Sequence, residues 1–133
     1  MQENNSVYIQ TRSESKVPVK IIGEEGKQAR MFVSKFPGGR QVSRIEIDPG
    51  FDWRKSIKPI LPNCPHWCPA THFGYLEAGE MVIEMEDGEK QTINAGDAYY
   101  IPPGHIPIIN TGAIMIEFSQ DTTYTSKEFI DKN

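Results

Sequence analysis

The chain has 133 residues, which is enough for one globular domain with a hydrophobic core but not for two. Hydrophobic residues make up 38% of it and charged residues 24%, a composition that excludes an intrinsically disordered protein. The net charge is −4, which argues against a nucleic-acid partner because such binding relies on a surplus of Lys and Arg. No apolar stretch approaches the ~18 residues of a membrane span, and the N-terminus lacks a signal pattern, so we expect a cytoplasmic protein.

Short apolar runs follow one another along the chain, separated by turn residues. Residues 1–16 are polar apart from Val7–Ile9, and we expect them to form a flexible arm or a strand exchanged with a second subunit. From residue 17 the runs have a period of two, which is typical of strands. The predicted strands are Val17–Ile22, Ala29–Phe36, Val42–Ile47, Gly74–Met85, Gln91–Ile93, Ala98–Ile101, Ile106–Ile109 and Ala113–Phe118.

Glycine and proline mark the turns between these runs. The clearest signal is Asp87-Gly88, which lies between alternating residues and predicts a β-hairpin with a two-residue type I′ turn. One short turn of helix is predicted at Ser126–Asp131, with Ser126 as its N-cap. About eight strands spaced in this way predict an all-β sandwich or barrel over residues 17–120, followed by a tail at 121–133.

All three histidines and both cysteines lie between residues 64 and 105. Cys64, His66, Cys68 and His72 have a spacing that resembles a metal site, although one straight strand at ~3.3 Å per residue would hold its ends too far apart. A bend at Pro69-Ala70 would bring them together. His105 would join from a separate strand. A mixed nitrogen and sulfur set favours a divalent transition metal (zinc, iron, nickel, copper or manganese) over magnesium or calcium.

Other interpretations of these residues remain open. Each histidine is equally compatible with an ordinary core position, and Cys68 with His105 is compatible with a nucleophile and its general base. Cys64 and Cys68 are expected to be free thiols, since extended residues four apart are separated by ~13 Å and a disulfide requires less than ~7 Å. The sequence contains no glycine-rich phosphate loop.

The segment GDAYYIPPGHIPIIN resembles the second motif of the cupin superfamily, G-x5-P-x-G-x2-H-x3-N. Gly96, Pro102 and Gly104 fall at the family's spacing. The family's histidine position is Pro107 here, and a histidine stands two residues earlier, at His105. A shift of two residues keeps a side chain on the same face of an extended segment.

The first cupin motif, G-x5-H-x-H-x3-E-x6-G, is matched more loosely. With Gly79 placed on its final glycine, His72 takes the position of the glutamate. Cys68 and His66 take the positions of the two histidines. The resemblance therefore implies a jelly-roll β-barrel, of the RmlC-like kind, with His72, His105, Cys68 and His66 as the metal ligands.

The resemblance also implies a small organic ligand inside the barrel. Residues near the motifs that would line its pocket are Trp53, Trp67, Phe73, Tyr75, Met81, Tyr99 and Tyr100. A metal-dependent enzyme of the dioxygenase, isomerase or lyase type is one expected function, with no catalytic residue assigned. The alternative is a cupin that binds a small molecule as a sensor, without metal or catalysis. We expect a homodimer, because a small jelly roll leaves strand edges that favour pairing.

Overall fold

The computed structural model describes residues 6–12, 16–56 and 67–119, and these residues form eight strands. The strands are β1 Lys20–Glu24, β2 Lys27–Phe36, β3 Arg40–Ile47, β4 His72–Met85, β5 Lys90–Asn94, β6 Ala98–Ile101, β7 His105–Ile108 and β8 Ala113–Ser119. One short helix, α1, covers Trp53–Ser56. All eight predicted strands are confirmed, with ends shifted by at most a few residues. The predicted helix at Ser126–Asp131 lies outside the described residues.

All strand pairs are antiparallel, and neighbours run in the order β1-β2-β3-β8-β4-β5, with β6 and β7 also paired to β4. This curled antiparallel sheet is an all-β jelly roll. The long strand β4 spans the molecule because its first half pairs with β6 and β8 and its second half with β5 and β7.

The path of β4 changes where its first half meets its second. Its register against β8 shifts between Leu76 and Ala78, and Gly79 follows with a φ of +82°. A Cβ atom at Gly79 would lie 2.1 Å from the carbonyl oxygen of Gly112, so only glycine fits between the two strands. Gly79 is the glycine on which the first motif was aligned, and its role there is to let β4 bend against β8.

The β4–β5 hairpin confirms the turn at Asp87-Gly88 but corrects its length. Met85 and Glu89 form the last backbone hydrogen bond, and the amide of Gly88 donates to the carbonyl of Met85. The loop thus has three residues, in place of the two predicted. The additional residue is accommodated because Gly88 adopts a φ of +93°, as in hairpins that end a type I turn with a bulge.

The hydrophobic core lies inside the curled sheet. Leu76 and Met81 of β4 are fully buried, and Met31, Ile45 and Met115 contact the same cluster from β2, β3 and β8. Residues 6–12 contain no strand. They lie against the outer face of the sheet, where the Gln10 side chain donates to the carbonyl of Lys35. No helix in the described part of the chain is long and apolar enough to cross a membrane.

Candidate metal centre

Cys68, His72 and His105 come together at one end of the core. Cys68 lies in the segment that enters β4, and its backbone forms two hydrogen bonds with the start of β7: its amide donates to His105 and its carbonyl accepts from Gly104. One ligand atom from each of the three residues lies within 4.8 Å of the other two. The two imidazole rings have centroids 4.9 Å apart. The sequence-based expectation that His72 and His105 converge beside Cys68 is met.

Strand alternation explains why these side chains face inward. In β4, His72, Gly74 and Leu76 are buried while the residues between them are exposed, so His72 occupies the core face. His105 begins β7 and is only 2% exposed. Cys68 is 4% exposed and forms no disulfide. Pro69 and Ala70, where a bend was expected, lie outside any strand, between the isolated bridge at Cys68 and the start of β4.

A second group holds each histidine ring in place. The Nδ1 atom of His105 lies 2.7 Å from the carbonyl oxygen of Pro102. A carbonyl oxygen only accepts, so Nδ1 carries the proton and Nε2 of neutral His105 is the nitrogen that can bind a metal. The Nδ1 atom of His72 lies 2.8 and 2.9 Å from the two carboxylate oxygens of Glu117, which assigns the same tautomer to neutral His72.

Glu117 is a buried carboxylate that the sequence-based analysis missed. It is 6% exposed, and the hydroxyl of Tyr99 donates to its Oε2 atom at 3.0 Å. A signal for it was present in the sequence. In the strand Ala113–Ser119, Ala113 and Met115 occupy the inward positions, and the next inward position is a glutamate. A charged residue at an inward position of an apolar strand indicates a buried functional group.

The electrostatics of the cluster follow from these contacts. Burial alone would raise the pKa of Cys68, but hydrogen bonds with His105 and His72 lower it from 9.0 to about 6. Burial alone would lower the pKa of His72, but the charge of Glu117 and the hydrogen bond with Cys68 raise it from 6.5 to about 9. Burial and the neighbouring charge of Glu117 raise the pKa of Tyr99, which therefore remains a hydrogen-bond donor.

The donor set fits a divalent transition metal. It offers two imidazole nitrogens and one thiolate sulfur at mutual distances that one ion can bridge. Both rings are oriented by hydrogen bonds at Nδ1, which is the usual arrangement of metal-binding histidines. Sulfur and imidazole ligands match the chemistry of zinc, iron, nickel or copper better than that of magnesium or calcium.

A cavity of about 40 Å³ adjoins the cluster. Apart from the three candidate ligands, the described residues that line it are apolar: Ala29, Ile45, Ile47, Phe51, Trp53, Met81, Ile83, Ile101, Pro107 and Met115. The predicted pocket residues Trp53 and Met81 are among them. Tyr99 is buried near the cavity but directs its hydroxyl to Glu117.

Of the seven predicted pocket residues, the five other than Trp53 and Met81 do not line this cavity. Phe73, Tyr75 and Tyr100 are 62%, 38% and 64% exposed and lie on the outer face of the sheet. The reason is the period of two: His72 occupies the inner face of β4, so Phe73 and Tyr75 must face outward. Trp67 is half-buried and packs against the edge of the core, with the Arg54 guanidinium over its ring. The predicted ligand His66 and the thiol of Cys64 lie outside the described residues.

The comparisons with known proteins agree with this fold. The sequence model of the cupin-domain family matches residues 58–113. Ectoine synthase from P. lautus superposes with a TM-score of 0.57 at 16% identity, covering 90% of this chain and 82% of that one. An RmlC-like cupin from Shewanella frigidimarina NCIMB 400 gives a TM-score of 0.51 at 19% identity, covering 85% of this chain and 89% of the other. At these identities the likeness concerns the fold.

A cupin-like protein from Thermotoga maritima also has the same fold, with a TM-score of 0.51 at 13% identity over 85% of this chain and 88% of its own. Among curated proteins, none matches the chain. The class is therefore that of small jelly-roll domains with a buried cysteine and histidine cluster. More specifically, the fold and the match of the cupin-domain model to residues 58–113, which contain the second motif, agree with the expected resemblance to the cupin superfamily.

Proposed function

We propose that this cupin binds a divalent transition metal through Cys68, His72 and His105, and binds a small organic molecule beside the metal. The observation that supports it best is that ligand atoms of three buried residues, from two separate segments of the chain, lie within 4.8 Å of one another. Three protein ligands leave a coordination position for water or substrate, as in catalytic zinc sites. A bound ion would supply Lewis acidity to a substrate oxygen, or would activate dioxygen.

The cavity beside the cluster limits what the ligand can be. At about 40 Å³ it holds only a few non-hydrogen atoms beyond the metal position. Its described lining contains no Lys, Arg, Asp or Glu, so nothing there would compensate a phosphate or a second carboxylate. The ligand we propose is therefore a small molecule that places one polar group on the metal and apolar atoms against the walls. The reaction, of the dioxygenase, isomerase or lyase type, and the catalytic residues remain unassigned.

The experiment is metal analysis of protein purified without chelator, followed by titration of the stripped protein with Zn²⁺ and Co²⁺. We expect one ion per chain and a sulfur-to-cobalt charge-transfer band, which Cys68→Ser abolishes. His105→Ala should lose metal uptake, and it leaves the pairing of His72 with Glu117 in place. His66→Ala measures whether a fourth protein ligand contributes.

The control for these variants is Tyr100→Phe, which removes a hydroxyl group from an exposed residue on the outer face of the sheet, away from the buried cluster. It should bind metal as the unchanged protein does. A stripped protein that takes up neither Zn²⁺ nor Co²⁺ would contradict the proposal. The domain would then be better interpreted as a cupin that binds a small molecule without metal or catalysis.

A nucleophilic Cys68 is the second candidate, and one observation favours it. His72 hydrogen-bonds with Cys68 and is oriented by Glu117, which is the order of groups in a thiol, imidazole and carboxylate triad. Alkylation of metal-free protein by iodoacetamide distinguishes the two functions. Protection of Cys68 by stoichiometric Zn²⁺ favours the metal site. Rapid alkylation that Zn²⁺ leaves unchanged favours the nucleophile.

We also propose a homodimer, formed through the outer face of the sheet. Phe73, Tyr75, Tyr100 and Phe118 lie together there, and each is more than a third exposed. Phe73 pairs with Tyr100 across β4 and β6, and the rings of Tyr75 and Phe118 are 6.3 Å apart. An exposed group of large aromatic residues is typical of a protein–protein interface. The segment 6–12, which we propose belongs to an N-terminal arm ahead of the barrel, lies beside this patch, where Arg12 forms an ion pair with Glu77.

A further inference from the structure

We infer that Glu117, held by Tyr99, is a positioning residue for the metal site: it fixes the imidazole of His72 and supplies a negative charge that the three ligands lack. This inference rests on the proposed function, because it concerns the same site. It assigns a role to two residues that are not metal ligands and that occupy none of the defined positions of the two cupin motifs.

The hydrogen bonds define what Glu117 does to His72. Both carboxylate oxygens lie within 2.9 Å of Nδ1, and a carboxylate only accepts, so Nδ1 must carry the proton. A neutral His72 then presents Nε2 to a metal. Because Ala113–Glu117 of β8 pair with Gly74–Gly79 of β4, the position of Glu117 relative to His72 is set by the sheet and not by a mobile loop.

Tyr99 completes the arrangement from a third strand. Its hydroxyl donates to Oε2 of Glu117 at 3.0 Å, and its backbone pairs with Gly74, two residues beyond His72. Tyr99 is 8% exposed and Glu117 is 6% exposed, so water has little access to the carboxylate. The side chain of Glu117 is consequently restrained at both oxygens by groups from β4 and β6.

The burial of Glu117 indicates a role other than packing. Removing a carboxylate from water costs several kcal/mol, and an apolar residue of similar size generally stabilises such a position as well or better. The neighbouring inward positions of β8 hold Ala113 and Met115, which shows that apolar side chains fit this face. A glutamate at the next inward position of β8 is explained if the cluster of Cys68, His72 and His105 requires its negative charge.

The charge of the ligand set gives that need a physical basis. One thiolate and two neutral imidazoles carry a single negative charge, against the two positive charges of a divalent ion. Glu117 adds a second negative charge next to the ligand set, and it interacts with the metal position through the imidazole ring of His72. Removal of a group that hydrogen-bonds to a metal-binding histidine typically lowers the metal affinity 10- to 100-fold.

The test is the affinity for Zn²⁺, measured by competition with a chromophoric chelator, together with the absorption spectrum of the Co²⁺ form. Glu117→Gln keeps the size and an acceptor oxygen but removes the charge. We expect it to bind Zn²⁺ about 10- to 100-fold more weakly and to shift the Co²⁺ ligand-field bands. Tyr99→Phe, which removes the hydroxyl that donates to Oε2 of Glu117, should weaken binding at least about threefold. The matched control is Glu84→Gln, the same change on a half-buried residue of β4 outside the cluster.

The outcomes separate this inference from the proposed function. If the unchanged protein binds no metal, the proposed function fails and this inference with it. If the unchanged protein binds Zn²⁺ and Glu117→Gln binds it equally well with the same Co²⁺ spectrum, only this inference is overturned, even where the variant melts at a lower temperature. If Glu117→Gln does not fold, Tyr99→Phe decides: an unchanged affinity overturns the inference and a weakened one supports it.

Discussion

Cys68 is a small residue in an apolar setting whose properties are set by its neighbours. The side chain is 4% exposed, and a buried thiol ordinarily stays protonated because a thiolate is poorly solvated there. Its hydrogen bonds with His105 and His72 reverse this, and its pKa falls to about 6. The same contacts that assemble the candidate site therefore also prepare its sulfur to bind a metal, since the thiolate is the ligand.

A direct prediction concerns the thiolate in metal-free protein. Because the pKa of Cys68 is lowered, its thiolate should be present above pH 6 and should be lost as the pH falls through that value. We expect a step in absorbance at 240 nm near pH 6. Cys68→Ser should remove this step, and His72→Ala should move it to higher pH because one hydrogen bond and one positive charge are lost. A Cys68 step at its ordinary value near 9 would contradict the prediction.

At the scale of elements, the site depends on how closely β4 and β8 approach each other. Gly74 of β4 lies directly opposite Glu117 of β8, and a Cβ atom at Gly74 would lie 1.9 Å from the carbonyl oxygen of Ile116. No side chain larger than hydrogen fits in this gap. The absence of a side chain at Gly74 allows β8 to bring Glu117 within hydrogen-bond distance of His72, two residues earlier on β4.

We therefore expect Gly74→Ala to separate β4 from β8. The free energy of unfolding should fall by about 3 kcal/mol or more, as for overpacking against backbone, because neither strand has room to move inside the sheet. Gly26→Ala is the control, since a Cβ atom there meets nothing within 4 Å and the cost is the strain of its positive φ, about 1 kcal/mol. Urea unfolding curves measure both. Equal losses for the two variants would show that the close approach is unimportant.

At the scale of the whole molecule, the two faces of the sheet have different uses. The inner face carries the core and the cysteine and histidine cluster, and the outer face carries the aromatic patch of Phe73, Tyr75, Tyr100 and Phe118. Adjacent residues of β4 belong to the two different faces, since His72 faces inward and Phe73 faces outward. An interface on the outer face would thus cover the back of the strand that carries the candidate site.

The dimer prediction is tested by placing a charge in this patch. Phe118→Lys should shift the protein from dimer to monomer, because a dimer would have to bury an unpaired ammonium group. Asn110→Lys adds the same charge to an exposed position between β7 and β8, outside the patch, and should leave the dimer intact. Analytical ultracentrifugation at tens of micromolar gives the masses. A monomeric unchanged protein would refute the interface.

Much of the fold was predictable, because local patterns determine it. Alternating apolar residues and glycine or proline turns gave all eight strands, and the Asp87-Gly88 signal gave the hairpin between β4 and β5. The errors were also local. The hairpin loop is one residue longer than predicted, and helix α1 at Trp53–Ser56 was not foreseen, since its four residues are too few to show a helical period.

The candidate site was predictable only in part. Cys68, His72 and His105 are rare residue types grouped in two segments, so composition and motif spacing identified them. Phe73, Tyr75 and Tyr100 face outward because alternation along a strand, and not proximity to the motifs, determines which face a side chain occupies. Glu117 and the hydroxyl of Tyr99 were missed because each lies on a strand that carries no candidate ligand.

The sequence by itself determined the strands, the inner and outer faces of each strand, and the residue types available for a metal, because these depend on neighbours along the chain. Only the tertiary structure decided which residues meet. His72 contacts Glu117, 45 positions away, because β4 pairs with β8. Tyr99 reaches the same carboxylate because β6 pairs with β4 on the side opposite β8. Those pairings join strands that are distant along the chain, so they depend on how the whole eight-stranded sheet folds.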